Sequence, residues 1–242
     1  MSAEARPAFY ALRPGGWRDY VTLVHPPYTL WHLSYVAIGA GLAPHVRWLL
    51  LGATAAAFLL AMGVGAHALD ELHGRPLATR IPSAALVVLA FVSIAGAIAI
   101  GIAVALATTH WLFAFVGFGG FVVVAYNLEL FGGRFHSDAW FAVAWGGFPV
   151  LTGYFAQAER LRGEAFAAAL SAALLSLAQR RLSTLVRTVR RRAQSVEGRI
   201  RFPDGRETPL DADGLLAAPE GALRALVGAT AVLAAALLLL HA

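Results

Sequence analysis

The chain contains no cysteine and no lysine. Without cysteine it builds neither a disulfide framework nor a thiolate metal site. Without lysine it forms no retinal Schiff base, and lysine-based covalent catalysis is closed to it. Charge is scarce as well. Charged residues are 14% of the 242 positions, where a soluble domain carries about 25%. What replaces them is apolar: 59% hydrophobic residues and a mean hydropathy of +0.66. A soluble protein of this length could not hide that much apolar surface, so a lipid bilayer is the expected solvent. Residues 1–24 hold Arg6, Arg13, Arg18 and Asp19 and no apolar run, so no cleavable signal is expected there.

Seven apolar segments are predicted as helices, near 28–43, 47–69, 83–108, 110–131, 138–157, 163–179 and 221–241. The sixth can continue as a basic extension. Helices need about twenty apolar residues to cross, so the first and sixth are short. The expected fold is all-α: a polytopic transmembrane bundle of about seven spans with a small basic helix and hairpin outside it. The expected organisation is a cytosolic segment over 1–24, the bundle over 25–179, a basic insert over 180–220 and a final transmembrane helix over 221–242. In the insert, "RIRFPDGRETPLD" places a Pro-Asp-Gly turn between two short runs, which predicts a hairpin. Glycines are frequent, 24 in all, and allow close helix packing.

Every basic residue other than histidine is arginine, and arginine placement gives orientation. With the N terminus inside, Arg47, Arg160 and Arg162 face outward and all the others face the cytosol. The expected location is the cell membrane, multi-pass, with the C terminus outside. The arginine-rich run 180–192 reads as an anchor on anionic headgroups. It lacks interleaved aromatics, so nucleic acid is not an expected partner.

This topology gathers polar groups at the inner face. His25, Tyr28 and His32 open the first helix. His67, Asp70, Glu71 and His73 close the second. Asn127, Glu129, Arg134, His136 and Asp138 lie between the fourth and fifth, and Gln179, Arg180 and Arg181 end the sixth. Ionisable groups in or near a bilayer are costly, so their clustering marks a candidate site. His67, Asp70 and His73 fall within about 120° of one helical face, which permits a metal site. An amphipathic helix end meeting headgroups explains the same spacing. His32 reads as a packed core histidine, and Glu129 as a partner of Arg134.

Three stretches carry a resemblance. "WRDYVTLVHPPYTLWHLSYVAIGAGL" has His25-Pro26 where the UbiA-type intramembrane prenyltransferases have an arginine-proline pair. "GAHALDELHGRPLATRIP" resembles their first acidic motif and the Arg-Pro-Leu after it, with Asp70 in the place of one aspartate and Arg75-Pro76-Leu77 matching. "AYNLELFGGRFHSDAWFAVAWGGFPVLTGYFA" is similar to their tyrosine-containing loop and the helix that follows. The likeness spans roughly 17–157, and arginines stand where the second acidic motif would fall. It implies a divergent prenyltransferase-like transferase acting on a prenyl diphosphate at the cytosolic face, possible use of Mg2+, and partners that are the bilayer and an isoprenoid lipid. On that reading Asp70, Glu71 and His67 are catalytic. Arg75, His25, Asn127, Arg180 and Arg181 meet substrate phosphate, and Asp70, His67 and His73 hold metal. The alternatives are a non-catalytic isoprenoid-binding or accessory protein, a histidine-dependent metal enzyme and a small transporter.

Overall fold

The computed structural model describes residues 6–242. The chain is 71% helical, and eight helices and one hairpin are seen among the described residues. They are α1 (Trp17–Leu23), α2 (Pro26–Gly41), α3 (Trp48–Leu72), α4 (Ser83–Ala107), α5 (Leu112–Asn127), α6 (138–158), α7 (Gly163–Arg192) and α8 (Ala212–Leu239). The two-stranded hairpin β1 (Gly198–Arg201) and β2 (Glu207–Leu210) pairs antiparallel between α7 and α8. Seven long helices therefore stand where seven apolar segments were expected. Two differ in extent. Helix α7 runs without a break from Gly163 to Arg192, and α8 starts nine residues before 221. Asp211 caps α8 by accepting from Gly214 N at 2.8 Å, and Leu216 and Leu223 bury its first turns against Val186 of α7. The basic insert is thus shared between two helices, and 193–211 lies outside them.

Three helices are long and apolar enough to cross a membrane: Trp48–Leu72, Ser83–Ala107 and Ala212–Leu239. By length and composition they mark a membrane protein. This is fewer than the seven crossings expected. Helices α2 and α5 have 16 residues each, just under the about 17–25 residues of common transmembrane helices. Apolar side chains turned outward fit a lipid solvent: Val88, Phe91 and Val92 of α4 are all exposed, Phe91 at 73%.

The centre of the bundle is α2 against α6, with α7 and α8 packed beside them around Trp31, Tyr35, Val150 and Val227. Two glycines permit the closest approach. A Cβ on Gly39 would sit 2.1 Å from Val150 O, and one on Gly153 would sit 2.2 Å from Val36 O. Neither distance is physical, so the two backbones touch only because both side chains are absent. At one end of the bundle Arg47 ties α3 to α6, donating to Ala156 O at 2.8 Å and Gln157 O at 2.9 Å while pairing with Glu159. The polar residues treated below converge at the other end.

Two helices contain a wider π turn, over Leu59–Ala66 in α3 and Ala142–Gly147 in α6. A proline closely follows the one in α6. Pro149 has no N–H to give the carbonyl four residues before it, that of Trp145. His32 Nδ1 donates to that carbonyl instead, at 2.8 Å. The expected core role of His32 thus takes a specific form: it satisfies a backbone group that proline has orphaned.

Substituting Gly39 or Gly153 by valine is expected to cost about 3 kcal/mol or more, from overpacking against backbone that cannot retreat. Gly117→Ala, with nothing within 4 Å of the added methyl, is expected to be neutral or to stabilise by about 0.5–1 kcal/mol. Thermal unfolding in detergent compares the three.

Candidate functional site: two adjoining cavities

At the end where α2, α6 and α8 begin and α3 and α5 finish, the helices enclose a polar cavity of about 230 Å³. Helix α2 contributes Tyr28 and His32 with His25 just before it. Helix α3 contributes Met62, His67 and Asp70. Helix α5 and the loop after it contribute Tyr126, Asn127 and His136, and α6 adds Phe141 and Trp145. Helix α7 contributes Gln179, Arg180, Ser183, Arg187 and Arg191, and the segment Pro7–Tyr10 lies along the rim. His67, Asp70 and Arg180, expected at helix ends on one face, line this cavity together.

Each polar wall has a local reason. His25 holds a left-handed backbone (φ 49°) at the N-cap of α2. Its ring stacks on His67 with centroids 4.0 Å apart and planes 9° from parallel. Tyr10 OH and His25 Nδ1 lie 2.9 Å apart. Burial and the neighbouring His67 hold the His25 imidazole well below its usual range, and burial pushes the Tyr10 hydroxyl up. Both are neutral near pH 7. His67 Nδ1 donates to Gly63 O at 3.1 Å inside the π turn of α3. Arg180 donates to Tyr126 OH at 2.6 Å, pairs with Asp138 and lies 4.9 Å over the Phe141 ring. His136 stacks on Tyr126 at 4.4 Å and donates to its carbonyl at 3.1 Å. The acid nearest His136 is Glu129, at 4.0 Å; Arg134, its expected partner, makes no ion pair among the described residues.

A second cavity, of about 100 Å³ and almost wholly apolar, lies deeper among α3, α4, α5 and α6. Phe58, Phe115, Phe148 and Gly119 are in its wall. Met62 and Trp145 line both cavities. A charged lobe and a greasy lobe therefore share one partition, and both partition residues sit in π turns. Such turns recur at functional sites because they displace side chains from the α register.

Several expected site residues lie elsewhere. Glu71 is fully buried and faces away from the cavity. Its carboxylate accepts from Leu77 N at 3.0 Å, Thr79 N at 2.9 Å and Thr79 Oγ1 at 2.8 Å. Arg75, left-handed at φ 53°, turns back on the same loop and donates to Thr79 O, Ile81 O and Ser83 Oγ. The pair that resembled a catalytic loop is the internal frame of that loop. His73, the C-cap of α3, is exposed, and so is Arg181; neither lines the cavity. Asn127 lines it but gives its amide to Val123 O at 2.7 Å.

No group of three or more His, Asp or Glu is placed to hold a metal among the described residues, so His67, Asp70 and His73 do not form the expected site. Magnesium takes about six oxygen ligands, usually carboxylates and phosphate. The cavity wall offers one carboxylate, Asp70, because Glu71 is committed to loop amides and Asp138 to Arg180. The donor set does not fit a magnesium-diphosphate clamp. The residues that sequence reasoning missed are Arg187, Arg191, Tyr10, Tyr126 and Trp145. For the first two a signal existed: Gln179, Ser183, Arg187 and Arg191 recur every four residues and so share one helix face.

Glu71→Ala should release the 73–82 loop, whereas Glu71→Gln keeps part of its bonding. Hydrogen bonds to a buried carboxylate are worth about 1.5–3 kcal/mol each. Limited trypsin digestion reads this out as new cleavage after the exposed Arg80 in the alanine variant and slow cleavage in the wild type. Equal digestion of the two would remove the framing role.

No family model, no curated protein and no solved structure matches the chain.

Proposed function

We propose that this is an integral membrane protein that binds an isoprenoid lipid with an anionic head. The tail lies in the apolar lobe and the head in the polar one. The observation that carries the reading is the shared partition, Met62 and Trp145, between a basic lobe and a dry one. An amphiphile uses both lobes, whereas a small polar metabolite has no use for the second. The resemblance of the three quoted stretches to UbiA-type prenyltransferases supplies the class of amphiphile, a prenyl diphosphate or its relatives. Prenyl transfer is the second reading. It is favoured by Asp70, a carboxylate in the cavity wall with no hydrogen-bond or ion-pair partner among the described residues. The single free acid argues against magnesium-assisted ionisation, so binding or presentation of the lipid is the reading put forward.

Native mass spectrometry of the protein purified in mild detergent is expected to show a co-purified phosphorus-containing lipid. Gly120→Leu, which fills the apolar lobe, should lower farnesol affinity about tenfold or more while the helix content stays unchanged. A wild-type bundle that binds neither native lipid nor added farnesol would end this reading. Consumption of prenyl diphosphate that Asp70→Ala abolishes would move it to transfer.

We also infer that all seven long helices cross the membrane, with the cavity end cytosolic. The support is the arginine asymmetry, since Arg47, Arg160 and Arg162 sit at the opposite end from the cavity. The lack of native cysteine makes the test direct. A membrane-impermeant maleimide should label His45→Cys in intact cells and Ser195→Cys after permeabilisation alone. The reverse pattern would overturn the orientation, and labelling of both in intact cells would overturn the count.

A further inference from the structure

The arginines of α7 fall into two sets. Arg180 pairs with Asp138, and Arg190 pairs with Glu220. Arg187 and Arg191 have no carboxylate within 4 Å among the described residues, yet both line the polar cavity. Their hydrogen bonds are few. Arg187 donates to Thr184 Oγ1 at 3.1 Å, and Arg191 Nε donates to Pro7 O at 3.2 Å. Most of their N–H groups are therefore uncommitted. The two stand four residues apart on one face, where like charges repel and weaken the helix. Burial of Arg191 by the Pro7–Tyr10 segment sharpens that repulsion. One wall carboxylate, Asp70, offsets it only in part. The histidines on the opposite wall are hydrogen-bonded or stacked, and Asp70 alone carries negative charge.

We propose that Arg187 and Arg191 form an anion site that grips the phosphate head of the lipid directly, with no divalent cation between. This rests on the reading that the cavity holds a lipid. Guanidinium groups present paired N–H donors that match phosphate oxygens, and one anion between two arginines relieves their repulsion. A magnesium clamp would instead need carboxylates where these arginines stand. The anion occupies the outer part of the polar lobe, so the tail points inward past Trp145. Recognition is then of charge and shape at the head, independent of metal supply and sensitive to salt.

The test uses the full chain in neutral-lipid nanodiscs. Farnesyl diphosphate and farnesol are titrated while tryptophan fluorescence is followed, with EDTA or with MgCl2 present. The expected result is that farnesyl diphosphate binds at least tenfold more tightly than farnesol and within about twofold alike in EDTA and magnesium. Raising the salt should narrow the gap. Arg187→Gln with Arg191→Gln should weaken farnesyl diphosphate about tenfold or more and leave farnesol unchanged. Arg187→Gln alone, at an exposed position bonded only to its own helix, should show part of the same loss without a folding effect. Loss of diphosphate binding in EDTA, or wild-type affinity in the double variant, overturns the anion site. Farnesol binding with no gain from the diphosphate also overturns it and leaves the lipid reading standing. Absence of binding by both probes removes the two together.

Discussion

The carbonyl of Trp145 is the point on which the architecture turns. Pro149 deprives it of its helical partner, and His32 Nδ1 supplies another from the neighbouring helix. An unpaired carbonyl inside a bundle would be costly. The hydrogen bond therefore locks α2 to α6 in register. Gly39 and Gly153 then let the two backbones meet a turn or two further along. The π turn beside Pro149 swings Trp145 out of the α register and into the partition between the lobes.

The polar lobe follows from this placement. Its neutral members are kept neutral by enclosure: His25 and Tyr10 face each other, and His25 stacks on His67. Its charged members arrive from outside the bundle's apolar belt, on the extension of α7 beyond Ser176. The two kinds of residue solve different problems. Buried imidazoles and phenols satisfy one another without net charge. Guanidinium groups stay near the rim, where solvent and headgroups share the cost of desolvation. The result is a lobe with graded polarity, from arginine at the mouth to an aromatic wall at the floor.

Much of the helical layout was legible, because apolar runs bounded by Pro26-Pro27, Pro82-Ser83 and Ser137-Asp138 mark helix starts by known chemistry. The early start of α8 was hidden by Pro219 and Glu220, which look like loop. Burial of Leu216 and Leu223 against α7 outweighs that local signal. The candidate site was half legible. His25, His67, Asp70, Asn127 and Arg180 were named from their ends of helices and do meet. Glu71 stands at the same helix end as Asp70 and Arg75 in the motif after it, yet both face their own loop. Which side of a short loop a carboxylate faces depends on three-dimensional bonding to Leu77 and Thr79, and spacing does not report it. Tyr10 escaped for a related reason: a segment that folds across a cavity from a distance leaves no periodic trace.

The charge of the cavity wall then has a physical reading. A site that ionises a diphosphate must collect negative ligands around metal and release them. A site that only holds one needs positive charge and an escape from self-repulsion. The cavity wall here holds one carboxylate, Asp70, and carries Arg187 and Arg191 at a four-residue interval. The chain's remaining acids brace loops or pair with neighbouring arginines, apart from Asp70. On the proposed reading, guanidinium groups without a set of metal-binding acids favour holding an anionic amphiphile over breaking its diphosphate bond. On that reading the scaffold would hold, orient or hand on a lipid, and the arginines that look like a membrane anchor in sequence would be part of its recognition surface.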